Sequence, residues 1–467
     1  MNDTDTIVEK PSAALARFAA ELRLEDVPTA VLARAKLHIL DALGLGFASL
    51  TYDYGRSAIA AAAALSESDT CSVLGQRERL GMRDAAMANA ILIHGLDFDD
   101  THLASIIHPT CTALPAALAM AEATIASGAE LLAAFLAGAE AGIRIGGAVN
   151  GGLHHVGFHA TGIVAHFASA LTAGKLLGLD ADQLVAAQGI AGSTASGIQV
   201  FLEEGAWTKR FHPGWGAVAG ITAAQLARSG FKGPTRPYEG KFGLFATHLH
   251  EGGPAVELGE LSDGLGRAWR FGDTALKPYP VCHFIHGCAD AAIELHAELA
   301  DAEIVSVDAF LPEPTLHIVA EPAEAKERPT TDYEAKFSAQ FVVAYALLHG
   351  RFGLTDLAPA ALADPQARAL ALKVRCHADP ASAFPTYFSG GLSVTLADGR
   401  ELKRHVRVNS GAGERAMTSE AVIAKFMASA TLAIPAAGAE RVRDAVLALE
   451  SIPALELART LREATAA

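Results

Sequence analysis

From residue 12 to about residue 265 the chain repeats one pattern: alanine-rich stretches whose apolar residues recur at helical spacing and continue almost all the way round. Residues 12–22, 28–50, 83–96, 114–126, 130–149, 162–176 and 181–191 each read as such a helix. A helix without a wide polar face is not stable on a surface, so these helices are expected to bury one another in a large bundle, with Ala and Gly faces permitting close approach. Near residue 268 the pattern changes: β-branched alternation at 304–310, a run at 370–376 and a hairpin of 392–396 and 401–408 around Asp398-Gly399 predict strands, with one helix at 338–348 among them. Helical spacing returns at 420–430 and 439–449. The expectation is a mainly α protein, in which a large all-helical domain is built from both chain ends (1–268 plus 410–467) and a smaller α+β lid domain (269–409) is inserted.

Composition removes several classes of function. Of 467 residues only 37 are Lys or Arg, and the formal net charge is −15, against a nucleic-acid footprint or binding to an anionic membrane. The opening MNDTDTIVEKPS lacks a basic segment followed by an apolar one, and no apolar run is long enough to span a bilayer, so a cytoplasmic protein is expected. Five scattered cysteines without a CxxC pair support neither a disulfide framework nor a thiolate metal site. There is no GxSxG elbow, P-loop or GxGxxG.

Titratable chemistry concentrates in four segments. ILIHGLDFDDTHLASIIHP, residues 91–109, holds three histidines, three aspartates and a threonine between two apolar helices, where unpaired charge is costly. If 91–101 is helical, His94, Asp97 and Thr101 share a face and Asp99 and Asp100 point elsewhere. His108 precedes Pro109, which biases it to an extended conformation just before a helix. GLHHVGFHATG, residues 152–162, sets His154, His155 and His159 among glycines before a helix whose N-terminus favours an anion. Zinc binding is the competing reading of that tract, but HHxxxH lacks the HExxH pattern and cysteine partners, so no metal is expected. WTKRFHPGWG gathers Lys209, Arg210 and His212 in an otherwise acidic protein, as a carboxylate or phosphate clamp or as basic residues exposed at a turn. LKPYPVCHFIHGCADAAIEL holds Lys277, Cys282, His283 and His286 where the two predicted domains join.

Together HGLDFDDTH, the HP that follows it, GFHATG, TKRFHPG and KPYPVCHFIH occur in the order and approximate spacing of the MmgE/PrpD family, and the likeness extends from AKLHILDALGLGFA (35–48) past KFSAQFVVAYALLHG (336–350). This family includes 2-methylcitrate dehydratase, cis-aconitate decarboxylase and iminodisuccinate epimerase. The resemblance implies a helical domain with a lid, a homodimer, and a cofactor-free site in the cleft between domains for a small di- or tricarboxylate. Carried over motif by motif, it implies catalytic roles for Asp97, Thr101, His108 and His159 and substrate binding by Lys209 and Lys277; the motifs themselves add His94, Arg210 and His283 as substrate-binding candidates. Decarboxylase-like members carry a histidine five residues after the last lysine, where this chain has Cys282.

The shared chemical demand is heterolysis next to a carboxylate, which needs cationic stabilisation of the developing charge and a group that moves a proton. His108 or His159 is expected to move it. A hydro-lyase of the 2-methylcitrate dehydratase type leads, ahead of an epimerase of an iminodisuccinate-like dicarboxylate and a cis-aconitate-type decarboxylase. A non-catalytic carboxylate-binding protein is the rival from another class; it needs the basic clamp but not the histidines.

Overall fold

The computed structural model describes residues 9–249, 253–300 and 302–465; residues 1–8, most of the stretch read above for a leader, lie outside them. Two compact units emerge. The first comprises Met1–Gly95, Ala104–Thr274 and Ser419–Ala467, the second Leu96–Leu103 and Ala275–Thr418. The junctions fall at 274/275 and 418/419, beyond the 268/269 and 409/410 read from the pattern, and Leu96–Leu103 joins the second unit without any local signal for it.

The fold is mainly α. In the first unit α1 (Pro11–Glu21), α2 (Thr29–Ala48), α3 (Asp53–Leu65), α4 (Met82–His94), α5 (Pro109–Ala123), α6 (Gly128–Gly147), α7 (Ala160–Leu176), α8 (Ala181–Gly192) and α9 (Thr208–Arg228) form the bundle. The all-round apolar reading is realised most fully in α5 and α7: Pro109 to Glu122 and Ala160 to Gly174 are buried without a break. Each fully buried Leu, Ile or Phe contributes roughly 1.5–3 kcal/mol of transfer free energy, so helices of this kind are held by packing more than by propensity. Starts are fixed locally. Capping boxes of Ser127 with Glu130 and Asp180 with Gln183 open α6 and α8, and Pro109 occupies the first position of α5.

Small residues set how closely helices approach. A Cβ on Gly216 or Gly220 of α9 would lie 2.4 Å from Ala165 or 2.5 Å from Ser169 of α7, so the two backbones touch where no side chain fits. A buried ion pair braces α6: Arg144 Nε donates to Glu140 Oε1 (2.8 Å), and its Nη atoms donate to the carbonyls of Glu260, Asp263 and Ala268. Glu140 in turn accepts from the N–H groups of Arg270 and Phe271. With every partner satisfied, the pair clamps the 257–273 segment to the bundle, and breaking it by removing one partner is expected to be far costlier than its net worth.

In the second unit α10 (His286–Leu299), α11 (Asp332–Lys336) and α12 (Ala339–His349) accompany a four-stranded sheet. Its strands, β1 (Ile304–Leu311), β2 (Val374–Ala378), β3 (Gly390–Leu396) and β4 (Glu401–Val406), run in the order β2-β1-β3-β4. The β1–β2 pair is parallel and the others antiparallel, with Val307 opposite both Val374 and Val394. The start of α10 presses on β3: a Cβ on Gly287 would lie 2.3 Å from the nitrogen of Gly390. Leu103 packs with Ala275, Phe388 and Ala412, which anchors the 96–103 excursion. The chain then returns to the first unit as α13 (Ser419–Ala430), α14 (Ala436–Leu447) and α15 (Ala454–Glu463). No helix among the described residues is long and apolar enough to cross a membrane.

Candidate active site

In the first unit, four elements deliver histidines to one place. His94 ends α4, His108 and His159 are the N-cap residues of α5 and α7, and His212 lies in the first turns of α9 beside Lys209. Both N-caps are extended, His108 at φ −99° and His159 at φ −81°. The His108 N–H donates to Thr161 Oγ1 (3.2 Å), which ties the start of α5 to the first turn of α7. One ring nitrogen from each of His94, His108 and His159 lies within 4.8 Å of the others, and all three residues are buried. The His159 ring stacks on His94 at 5.5 Å, and its Nδ1 sits 3.1 Å from His212 Nδ1, so this pair shares one proton between two nitrogens. His159 Nε2 is buried and has no hydrogen-bond partner among the described residues. Two adjoining helix N-termini and the Lys209 ammonium make the surroundings of these rings suited to an anion.

The same surroundings keep the imidazoles neutral. Burial first, then the charge of Lys209 and the neighbouring His94, His212 and His154, hold the His159 pKa well below the ordinary histidine value. His212 is pushed down to about 4, again by burial first and then by His94 and Lys209. His154 is also held at about 4, but its nitrogens are occupied: Nε2 lies 2.8 Å from the carbonyl of Ile106, which fixes the proton there, and Nδ1 accepts from Gln199 Nε2 at 2.6 Å. His154 is therefore a fixed wall of the cluster. His155 is exposed and stands outside it.

The turn reading of WTKRFHPGWG needs correction. The segment is the start of a long helix, not a turn. Pro213 falls at the sixth position of α9, where it forfeits one hydrogen bond, and burial against α7 outweighs the loss. Arg210 is buried, donates from Nε to the carbonyl of Gly95 (2.6 Å) and lies over the Tyr54 ring at 4.2 Å. Its Nε thus ties the start of α9 to the end of α4. Three nitrogens at the spacing of His94, His108 and His159 also raise the question of a metal. Against an ion there stands the positive charge that Lys209 adds beside rings already held neutral by burial.

The face proposed for His94, Asp97 and Thr101 does not exist as a helix face. Helix α4 ends at His94, where Gly95 fits against Tyr54 so closely that a Cβ would meet its ring at 2.3 Å. Asp97 then takes a left-handed conformation at φ +53°, and Thr101 belongs to a short strand, Thr101–His102. Asp99 and Asp100 are buried as well, so helical geometry gives no ground for setting them aside. Lys277 Nζ donates to both the carbonyl (2.7 Å) and Oδ1 (3.1 Å) of Asp97, with each residue at most 4 % exposed. His283 Nε2 accepts from Asn409 Nδ2 (2.9 Å), which leaves the ring proton on Nδ1, and the His286 ring is 4.3 Å away. Cys282 is buried, and its N–H donates to the carbonyl of Lys336.

Comparison with known proteins now adds to this geometry. Models of the MmgE/PrpD N-terminal and C-terminal domains match residues 13–257 and 279–451. The chain belongs to the MmgE/PrpD family. Among similar proteins of known name, the cis-aconitate decarboxylase-like protein oryM of Aspergillus oryzae is 28 % identical and covers 97 % of both chains. Cis-aconitate decarboxylase of Aspergillus terreus is 27 % identical over 96 % of this chain and 95 % of its own. The Homo sapiens protein of the same name is 30 % identical over 88 % of this chain and 85 % of its own. Within this MmgE/PrpD chain, sequence reading did not single out Gln199, Tyr54, Asn409 or Lys336, which orient the candidate residues. Each is a lone polar residue far in sequence from the group it holds, and only the fold brings the two together.

Proposed function

We propose that this protein is a cofactor-free lyase acting on a small di- or tricarboxylic acid, and that His159 takes a proton from the carbon next to a substrate carboxylate. One observation carries this reading: a buried imidazole, kept neutral by its surroundings, paired with His212 and placed beside Lys209 at two helix N-termini. A neutral ring is a base at rest. In the proposed step the C–H bond breaks to His159 Nε2 and its electron pair moves toward the adjacent carboxylate, which Lys209 and the helix ends stabilise. A hydroxyl on the neighbouring carbon then leaves with a proton, as water, and a C=C bond forms. Substrate binding assists the base, because a carboxylate beside Lys209 offsets the charge that suppresses His159. Once it has taken the substrate's proton, Nε2 is a donor, as a departing hydroxyl requires, and passing the Nδ1 proton to His212 would leave His159 neutral with that proton still on Nε2. Lys277, held to Asp97, is the second unit's candidate carboxylate-binding residue on the strength of its motif.

Decarboxylation is the second reading, favoured by the names of the relatives. There the C–C bond to a carboxylate breaks, carbon dioxide leaves and the carbon that keeps the electron pair takes a proton, so the site must start with a proton to give, a task for which rings held neutral are less suited. Proton NMR of citrate-, aconitate-, tartrate- and aspartate-derived acids incubated with enzyme in D2O separates the outcomes. Loss of water to a new alkene is the expected result; release of carbon dioxide would replace dehydration with decarboxylation, and deuterium at the α-carbon without water loss would point to epimerisation. With an accepted acid, His159→Gln is expected to lower kcat by about 10²–10⁴-fold with little change in KM. Unchanged turnover in that variant would remove the histidine from the chemistry. The homodimer implied by the family resemblance belongs to the same proposal, and light scattering at twice the 48.4 kDa chain mass is its expected signature.

A further inference from the structure

Within the second unit, Lys336 is completely buried at the end of α11. Its Nζ donates to the carbonyl of Leu96 (2.8 Å), 3.8 Å from Asp332 Oδ2. The next carbonyl along the chain, that of Asp97, takes the ammonium of Lys277 at 2.7 Å. Two consecutive carbonyls are thus each held by a different buried lysine, at a residue whose φ of +53° lies in the left-handed region, which aspartate tolerates better than most residues but less well than glycine. The backbone of Lys336 holds a second segment, since its carbonyl accepts from the N–H of Cys282 (2.8 Å). One residue therefore ties 96–97, which carries Asp97, to 277–283, which carries Lys277 and His283. Burying an ammonium costs several kcal/mol before compensation, and a Leu or Met at this position would pack at no such cost.

We infer that Lys336 is a positioning residue of the reaction: it fixes the left-handed turn at Asp97 so that the Asp97 carboxylate and the Lys277 ammonium stay paired in a single orientation. This rests on the lyase reading for its kinetic consequence but not for its structural one, so the test has two arms. In the full-length protein, Lys336→Met is expected to raise amide hydrogen exchange across 96–103 and 277–283 while leaving the helices of the first unit protected. With an acid the wild type accepts, the same variant is expected to lose at least about 10-fold in kcat. Combined with Asp97→Asn it is expected to cost little beyond Asp97→Asn alone, because both act through one group. Fully multiplicative losses, or raised exchange with wild-type kcat, would overturn the positioning role. Unchanged exchange across 96–103 overturns it whatever the activity, and a wild type that turns over none of the acids sinks the lyase reading while exchange still decides the anchoring. If Lys336→Met does not fold, Asp332→Asn, which removes the nearby half-exposed carboxylate, is expected to shift exchange the same way by a smaller factor; no shift in it would count against the proposal.

Discussion

At the scale of single residues, the candidate site works by withholding charge from some groups and supplying it to others. His159, His212 and His154 are held neutral by burial first and by neighbouring histidines, and Lys209 is the cation whose field reinforces this. Lys209→Met therefore has two consequences of opposite kind. Losing a charge-assisted contact worth about 1.5–3 kcal/mol is expected to raise KM for a carboxylate substrate by about 10–100-fold. Removing the positive charge also lets His159 accept a proton at higher pH, so the acidic limb of kcat/KM should move up toward the ordinary histidine range. A pH–rate profile measured with both proteins reads the shift; a limb that stayed put or moved down would mean that another group controls it. Much of this site was legible in the sequence, because HP and GFHATG are local signals: a residue before proline is extended, and a histidine ahead of an apolar helix falls at its N-cap. The contact that Arg210 makes was not legible. Nothing in TKRFHPG indicates that its Nε would meet the carbonyl of Gly95, more than a hundred residues earlier.

Elements carry these residues, so the site is only as well placed as the contact between α7 and α9. That contact depends on Gly216 and Gly220, since α9 brings Lys209 and His212 to His159 at the head of α7. A methyl group on Gly220 would meet not only Ser169 Cβ at 2.5 Å but also the Ala170 nitrogen at 2.6 Å, and backbone cannot rotate away as a side chain does. Gly220→Ala is expected to destabilise by about 1–3 kcal/mol through overpacking and to reduce kcat further than the folded fraction explains. Gly272, where an added Cβ meets nothing within 4 Å, supplies the control: Gly272→Ala should leave both nearly unchanged. Equal effects of the two substitutions in a thermal melt would refute the close-packing argument. Helical periodicity located most of the bundle because burial all round leaves a strong signal, and it missed α9 for a specific reason. His212-Pro213 and three nearby glycines read locally as a turn, whereas tertiary burial along 208–228 decides for helix. The opposite error occurred at 95–101, where the apolar pattern runs on from α4 but Gly95 and the left-handed Asp97 end the helix.

At the scale of the whole molecule, the neutral histidines couple the site to stability against acid. His154, His166 and His212 are held at about 4 and His159 well below its ordinary value, in every case with burial as the leading cause. All four lie in the first unit, as do Trp207, Trp215 and Trp269, the chain's three tryptophans, so intrinsic fluorescence reports on the unit that holds them. The sign follows from proton binding. An unfolded chain protonates these rings near pH 6.5, the folded one only near 4 for His154, His166 and His212 and well below the ordinary value for His159, so over that range the unfolded state binds more protons and stability rises with pH. Their contribution is complete above about pH 6.5 and is lost as the pH falls toward 4, each ring adding up to about 1.4 kcal/mol per pH unit to the slope. The tryptophan-monitored urea midpoint should therefore drop steeply between pH 6.5 and 4.5 and vary little from 7 to 8. His166, buried in α7 with Nδ1 bonded to the carbonyl of Gly162 at 2.8 Å, stands outside the cluster proposed for catalysis. His166→Gln, which cannot be protonated, should flatten the slope by about one ring's share even though the variant is less stable at pH 7. A midpoint that held constant from pH 7 to 4.5 would show that the rings protonate in the folded protein as readily as in water, and the case for His159 as a resting base would fall with it.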